Sequence, residues 1–168
     1  IESLKGLMNL PTLGKKRIVA PIWASNPREN MITIGAGSKQ SVIRGAAVVC
    51  AEGLVGVVHV VGPDTSQVQL LSSPLPFKIG ATVQSEVPVA GLLHGEGENR
   101  LILELESTAA NVKQGDLVIT SGFSERIPRG IPIGKVVQVR DDPDFGTKLV
   151  QVFPHVELAR LQSVIVLR

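Results

Sequence analysis

Hydrophobic and polar residues alternate along short stretches of this chain, a pattern typical of β-strands with one buried and one solvated face. The clearest stretch puts Leu101, Leu103 and Leu105 on one face and Glu104 on the other. From Ile18 onward, runs of this kind predict about a dozen short strands. The chain also contains 17 glycines and 11 prolines, which favour turns between the strands. The sequence therefore predicts an all-β fold.

Two clusters of turn-forming residues divide the predicted strands. Residues 95–99, with the sequence GEGEN, lie just before the Leu101 strand. Residues 141–146, DDPDFG, predict a hairpin loop, because proline and glycine preset the backbone and aspartate side chains can cap it. Each cluster therefore marks a boundary between neighbouring strands.

One supersecondary unit occurs twice along the chain. The two copies begin with SVIRGAAVV at 41–49 and NVKQGDLVI at 111–119. Each is followed by a second glycine that opens a run rich in β-branched residues, at 56–61 and 134–139. The repeat predicts two small, related β-barrel-like domains, arranged as a double barrel.

The N-terminal residues differ from the rest of the chain. Apolar residues within 1–10 have helical spacing and Pro11 ends the run. One heptad is too short to establish a coiled coil, so a frayed terminal helix is the alternative. We assign 1–16 to this helical remnant and a linker, 17–90 to the first barrel and 91–168 to the second. An interleaved arrangement of the two units is the alternative to these boundaries.

Composition narrows the function further. Hydrophobic residues make up 43% of the chain, yet it has no tyrosine and four phenylalanines, so the core must be aliphatic. A net charge of +2, without basic residues interleaved with aromatics, argues against nucleic-acid binding. Cys50 is the only cysteine and is expected to pack as a small apolar side chain. The chain begins with Ile1 rather than methionine, so we expect a fragment, and an N-terminal anchor outside it is compatible with this start.

The residue types of a serine hydrolase are present, and proteases of this type are built on doubled β-barrels. His59, however, lies within a run of valines, and Ser121 lacks the glycine context of an oxyanion hole. A structural role for His59 is therefore favoured, and an atypical serine hydrolase is kept as the alternative function. The candidates by type are His59, Asp64, His94, Asp116 and Ser121.

Other kinds of chemical site are not supported by the sequence. Residues 35–39, GAGSK, lack the spacing of a phosphate-binding Walker loop. His59, His94 and His155 are far apart and have no closely spaced companions of the kind that bind zinc. Proline interrupts the acidic run 141–144, which also lacks the glutamate of a calcium loop. We expect no catalytic residue, no cofactor and no metal.

Apolar residues in predicted turns are the best candidates for a binding site. Phe123, Ile127 and Ile131 lie among polar and proline residues in one turn, and Leu75 and Phe77 lie in another. Such side chains either plug the end of a barrel or, if exposed, form a partner-binding patch. The plug is the favoured interpretation, and these five residues are the partner-binding candidates if their side chains are exposed.

The order of the motifs resembles the MreC family of rod shape-determining proteins. The resemblance runs from about Ile18 to the end, although the glycine-rich stretch usual in the family is replaced by FSER at 123–126. The motifs are GSKQSV at 37–42, EGLVG at 52–56, GDLVITSG at 115–122 and IPRGIPIGKV at 127–136.

The resemblance implies a non-enzymatic scaffold of the bacterial cell-elongation complex, which organises peptidoglycan synthesis. It implies a periplasmic double β-domain behind one membrane helix and a coiled coil, whose end would be residues 1–10. It also implies self-association and contacts with the elongation penicillin-binding protein, RodA, MreD and the MreB system. We expect binding through strand edges and exposed apolar loops. A peptidoglycan-binding module is a further alternative, but the sequence has few aromatic residues for stacking on sugars.

Overall fold

The computed structural model describes residues 16–74, 78–105, 111–122, 126–142 and 146–168, which form twelve strands and two short 3-10 helices. The predicted helical remnant at 1–10 lies outside these residues. The first six strands are β1 (Arg17–Asn26), β2 (Met31–Ile34), β3 (Ala47–Cys50), β4 (Gly53–Val61), β5 (Ser66–Leu70) and β6 (Ile79–Gln84). The other six are β7 (Val89–Gly95), β8 (Leu101–Leu105), β9 (Leu117–Thr120), β10 (Pro132–Asp142), β11 (Thr147–Pro154) and β12 (Ser163–Leu167). The 3-10 helices are Ser38–Gln40 and Leu158–Arg160.

The strands form two closed antiparallel barrels, which confirms the predicted all-β double-barrel fold. Barrel 1 has the strand order β1-β12-β3-β4-β5-β2, and barrel 2 has the order β10-β11-β8-β7-β6-β9. No helix in the described part of the chain combines the length and apolar character needed to span a lipid bilayer.

The strand order corrects the predicted domain boundary near residue 90. Strand β6 lies before that boundary but belongs to barrel 2, and β12 lies after it but closes barrel 1. Barrel 2 is thus a continuous segment inserted between β5 and β12. The predicted boundary was wrong because hydrophobic alternation shows which residues of a strand share a face. It does not show which distant strand pairs with that strand.

The repeated sequence unit has the same backbone geometry in both barrels. The N–H of Gly45 donates to the carbonyl of Val58 at 2.9 Å, and that of Gly115 donates to Val136 at 2.8 Å. Both glycines have positive φ, +86° and +93°, a conformation that glycine adopts without strain. A β-bulge follows Val58 in β4 and Val136 in β10.

The equivalence extends around both barrels. Read from β1, barrel 1 runs β1-β12-β3-β4-β5-β2, and read from β7, barrel 2 runs β7-β6-β9-β10-β11-β8. The repeat pairs β3 with β9 and β4 with β10, so β12 takes the position that β6 has in barrel 2. Barrel 1 is therefore a circularly permuted counterpart of barrel 2.

The core is aliphatic and follows the predicted alternation. Leu101, Leu103 and Leu105 of β8 are fully buried, while Glu104 is partly exposed on the opposite face. Cys50 is buried within the core, as predicted. Aliphatic side chains from both barrels belong to one buried cluster, so the two barrels pack against each other.

Candidate protein-binding surface

The turn that contains Ile127 and Ile131 is packed into the protein rather than exposed. Ile127 is 8% exposed and Ile131 is fully buried. The hydroxyl of Thr120 donates to the carbonyl of Pro128 at 2.6 Å and accepts from the N–H of Ile131 at 2.9 Å. These buried hydrogen bonds hold the turn against β9.

The burial of Ile127 and Ile131 corrects the prediction that these two of the five residues contact a partner. Direct contact with a partner requires exposed side chains, whereas Ile127 and Ile131 lie in the core. This burial agrees with the interpretation that the turn plugs the end of the barrel. Phe123, Leu75 and Phe77 lie outside the described residues, so their assignment stays a prediction.

The expected use of unpaired strand edges is also corrected. Each strand of the described chain has a hydrogen-bonded neighbour on both sides, because both barrels are closed. Closure removes the free N–H and C=O groups that strand addition needs. A partner must therefore bind the outer faces or the ends of these barrels.

The candidate hydrolase residues are divided between the two barrels. His59 lies on β4 of barrel 1, whereas Ser121 follows β9 of barrel 2. The carboxylate of Asp64 pairs with Lys39 at 3.4 Å, and that of Asp116 accepts the Lys113 N–H at 2.9 Å.

The remaining histidines also stay apart. His94 lies between Glu96 and Glu104, with nitrogen-to-oxygen distances of 3.8 Å to each. Even so, within the described ranges, no group of three or more histidine, cysteine or acidic side chains has the arrangement of a metal site.

The outer face of barrel 2 carries a row of exposed apolar side chains. Lys135 of β10 lies directly opposite Leu117 of β9 and Phe153 of β11. Leu117 is 40% exposed and Phe153 is 62% exposed. The bulge in β10 leaves Val137 exposed beside them. We call Leu117, Lys135, Val137 and Phe153 the barrel 2 row.

Lys135 is the only charged member of the barrel 2 row. No acidic side chain of the described residues forms an ion pair with it. Burial lowers the pKa of the nearby His155, and the positive charge of Lys135 lowers this pKa further. His155 is therefore neutral at neutral pH, and the positive charge of this surface comes from Lys135.

Phe153 also borders a groove of about 670 Å³ where the chain returns from barrel 2 to barrel 1. The groove is lined mainly by aliphatic side chains, with His155 and Glu157 among its polar members. Clefts of this size at a junction between two units are common binding sites. The larger aliphatic residues are Ile22, Ile32, Leu70, Val156, Leu158 and Leu161.

A second exposed apolar strip lies on β1 of barrel 1. Trp23, the only tryptophan, is largely exposed, as is Val19 on the same face. A Cβ at Gly35 would lie 2.6 Å from Cε2 of Trp23, so the indole lies over this glycine. Neither Val19 nor Trp23 lines the groove.

Neither surface could be predicted from the sequence. Phe153 lies in β11 and Trp23 in β1, where alternation assigns a side chain to one face or the other. Alternation does not show whether an outer face is open or covered by another part of the molecule. The scarcity of aromatic residues is the one signal that could have drawn attention to both.

The fold and the surface together define a class of protein: a nested pair of closed β-barrels whose candidate site is a protein-binding face. Comparison with known proteins gives the family. A family described as "Rod shape-determining protein MreC, barrel core" matches residues 23–168. The chain belongs to the MreC family, which confirms the resemblance seen in the sequence.

The relatives show how much of the family's length is present. The cell shape-determining protein MreC of Bacillus subtilis is 32% identical over 165 residues, which are 90% of this chain and 56% of the relative. The chain thus spans about half the length of the curated relatives it matches.

Two solved structures share the fold at lower sequence identity. One is the major periplasmic domain of the cell shape-determining filament MreC, with a TM-score of 0.81 and 22% identity over 91% of this chain and 95% of that one. The other is a complex between penicillin-binding protein PBP2 and MreC of Helicobacter pylori. Its TM-score is 0.67, with 14% identity over 90% of this chain and 98% of that one.

Proposed function

We propose that this chain is the double-barrel part of a non-enzymatic scaffold that organises peptidoglycan synthesis during cell elongation. It acts by binding a penicillin-binding protein and by associating with itself. The observation that carries the proposal is the barrel 2 row, an open apolar face on a closed barrel of a chain in the MreC family. Exposed apolar patches of this kind are typical of protein interfaces.

The comparisons support the choice of partner. The related Helicobacter structure is a complex of MreC with a penicillin-binding protein, and another relative is described as a periplasmic part of a filament. We extend both properties to this chain. The proposal includes an extracytoplasmic location, an N-terminal membrane helix outside this sequence, and a wider complex with RodA, MreD and MreB.

Binding of the penicillin-binding protein is measurable with purified components. We expect the extracytoplasmic region of the cognate elongation enzyme to bind this chain saturably, with a Kd of about 1–10 µM, as for a transient interface. A penicillin-binding protein dedicated to division, immobilised at the same density, is the control. Absence of saturable binding to the elongation enzyme would remove it as a direct partner of these barrels.

Self-association is measured by multi-angle light scattering over a range of protein concentrations. We expect the mean mass to rise with concentration, since exposed apolar faces such as the strip of Val19 and Trp23 favour association between copies. A strict monomer throughout would contradict self-association by the barrels and assign it to other parts of the full-length protein.

A further inference from the structure

We propose that the barrel 2 row docks a partner protein that presents an aspartate or glutamate carboxylate within an apolar patch. The four residues are Leu117, Lys135, Val137 and Phe153. The inference rests on the proposed function, because the proposed partner is the penicillin-binding protein. The barrel 2 row is the surface that this partner contacts, and the partner must present a carboxylate to it.

The internal equivalence of the barrels shows that this face is unusual. The positions that correspond to Leu117, Lys135 and Phe153 in barrel 1 form the same cross-strand row on β3, β4 and β5. They are Ala47, Val57 and Gln69, of which Ala47 is fully buried, Gln69 is 5% exposed and Val57 is half-buried. The same face of the same fold is therefore mostly covered in barrel 1 and open in barrel 2.

Barrel 2 contacts barrel 1 at two glycines that flank β3. A Cβ at Gly45, two residues before Ala47, would lie 3.0 Å from Cδ of Arg126. A Cβ at Gly53 would collide with the carbonyl oxygen of Pro132. In the described part of the chain, Leu117, Val137 and Phe153 stay exposed, which leaves this face of barrel 2 available to another molecule.

The barrel 2 row has the properties of an interface centre. Its members lie on three hydrogen-bonded strands of a closed barrel, so their positions are fixed before binding and little backbone order is lost. Phe153 offers a large aromatic surface, and aromatic side chains in such positions carry much of the binding energy of interfaces. Leu117 and Val137 surround the aliphatic stem of Lys135 with further apolar area.

The charge of the row selects the partner. Lys135 lies at the centre of the row and has no ion-pair partner in the described part of the chain. Covering the row with a purely apolar surface would bury this ammonium group without a partner, which is costly. A carboxylate opposite Lys135 would pair with it, and the surrounding apolar contacts would exclude water.

A second copy of this chain fits the row less well. A two-fold axis through the row would bring the Lys135 ammonium groups of both copies together, with no carboxylate between them. A nucleic acid also fits poorly, because a single cation within apolar residues cannot neutralise several phosphates. The observations therefore favour a different protein.

The test compares the affinity of the extracytoplasmic region of the cognate elongation penicillin-binding protein for matched variants. We expect Phe153→Ser and Lys135→Glu each to weaken binding about tenfold or more, and Lys135→Met to weaken it less. Lys135→Met should also reduce the dependence of the affinity on salt concentration. Val87→Ser removes an exposed apolar side chain elsewhere and Lys39→Glu reverses a charge on barrel 1. Both controls should bind within about twofold of the original chain.

The outcomes separate the two proposals. Loss of binding in both the Phe153 and Lys135 variants, with restoration of Lys135→Glu binding by a carboxylate-to-lysine change on the partner, supports the inference. If the original chain binds and all variants bind equally well, the inference is overturned and the proposed function stands. If only Phe153→Ser loses affinity, recognition of a carboxylate is overturned. If the original chain fails to bind, both the proposed function and the inference are overturned.

Discussion

Cys50 illustrates how a single side chain is adapted to the core. Its thiol is buried, and it donates a hydrogen bond to the carboxylate of Glu52 at 3.1 Å. Burial is the larger cause and the hydrogen bond to Glu52 the next, and together they raise the pKa of Cys50 from 9.0 to about 12. The only thiol of the chain is thus kept neutral and unreactive, in agreement with the small apolar role predicted from sequence.

The reactivity of Cys50 is measurable with a thiol-specific disulfide reagent. At pH 8 this pKa lowers the thiolate fraction about a thousandfold, so we expect modification to be slower by at least that factor than in the unfolded chain. Glu52→Gln should lower the pKa and raise the rate only in part, since burial remains. Modification of the folded protein at the rate of an exposed thiol would contradict this account.

The same shift makes the stability depend on pH at the alkaline end. The folded-state pKa lies above the ordinary value, so the folded protein holds the thiol proton more tightly than the unfolded chain does. This contribution to stability is complete below pH 9 and is lost as the pH rises toward 12.

At the scale of a strand, close backbone approach explains the second glycine of each repeat. A Cβ at Gly134 of β10 would collide with the carbonyl oxygen of Phe153 on β11, and one at Gly56 of β4 would collide with that of Gln69 on β5. These are equivalent places in the two barrels. The glycines are therefore required by packing between neighbouring strands rather than by an unusual φ.

Substitution of these glycines tests the equivalence of the barrels. We expect Gly134→Ala and Gly56→Ala each to lower the free energy of unfolding by about 1–3 kcal/mol, because the adjacent strand must move. Urea denaturation gives the values. Gln138→Ala, at an exposed position of β10, should change stability by less than about 0.5 kcal/mol. A neutral effect at either glycine would show that the strands can separate there at no cost.

At the scale of the whole molecule, the insertion of barrel 2 into barrel 1 determines which strands each barrel needs in order to close. Strands β6 to β11 form barrel 2 without any other part of the chain. Barrel 1 needs β12, which pairs with β1 and β3 after the chain has passed through all of barrel 2. The final residues therefore stabilise the first part of the chain.

Deletion of residues 163–168 should separate the two barrels in stability. We expect hydrogen exchange, followed by mass spectrometry, to lose protection by about a hundredfold or more in β1 to β5 while β6 to β11 stay protected. Deletion of Arg168 alone, which removes only its paired backbone hydrogen bonds with Lys16, is the control and should have a small effect. Simultaneous loss of protection in both barrels would indicate that they unfold as a single unit.

The sequence by itself determined the local structure of this protein. Alternation identified β8 and its buried leucines, turn residues separated the strands, and the repeat indicated two related units. These features depend on neighbours in the sequence, because side chains alternate between the two faces of a strand and turns need particular residues. The order of the motifs was also enough to indicate the MreC family.

Only the tertiary structure decided the topology and the surface. Whether Ser163–Leu167 closes barrel 1 or barrel 2 depends on pairing between distant strands, which alternation does not encode. The same limit applies to Ala47 and Leu117, which have equivalent places in the repeat, yet only Leu117 is exposed. Whether an outer face stays open is set by the tertiary packing around it, and in barrel 2 Leu117, Val137 and Phe153 stay exposed.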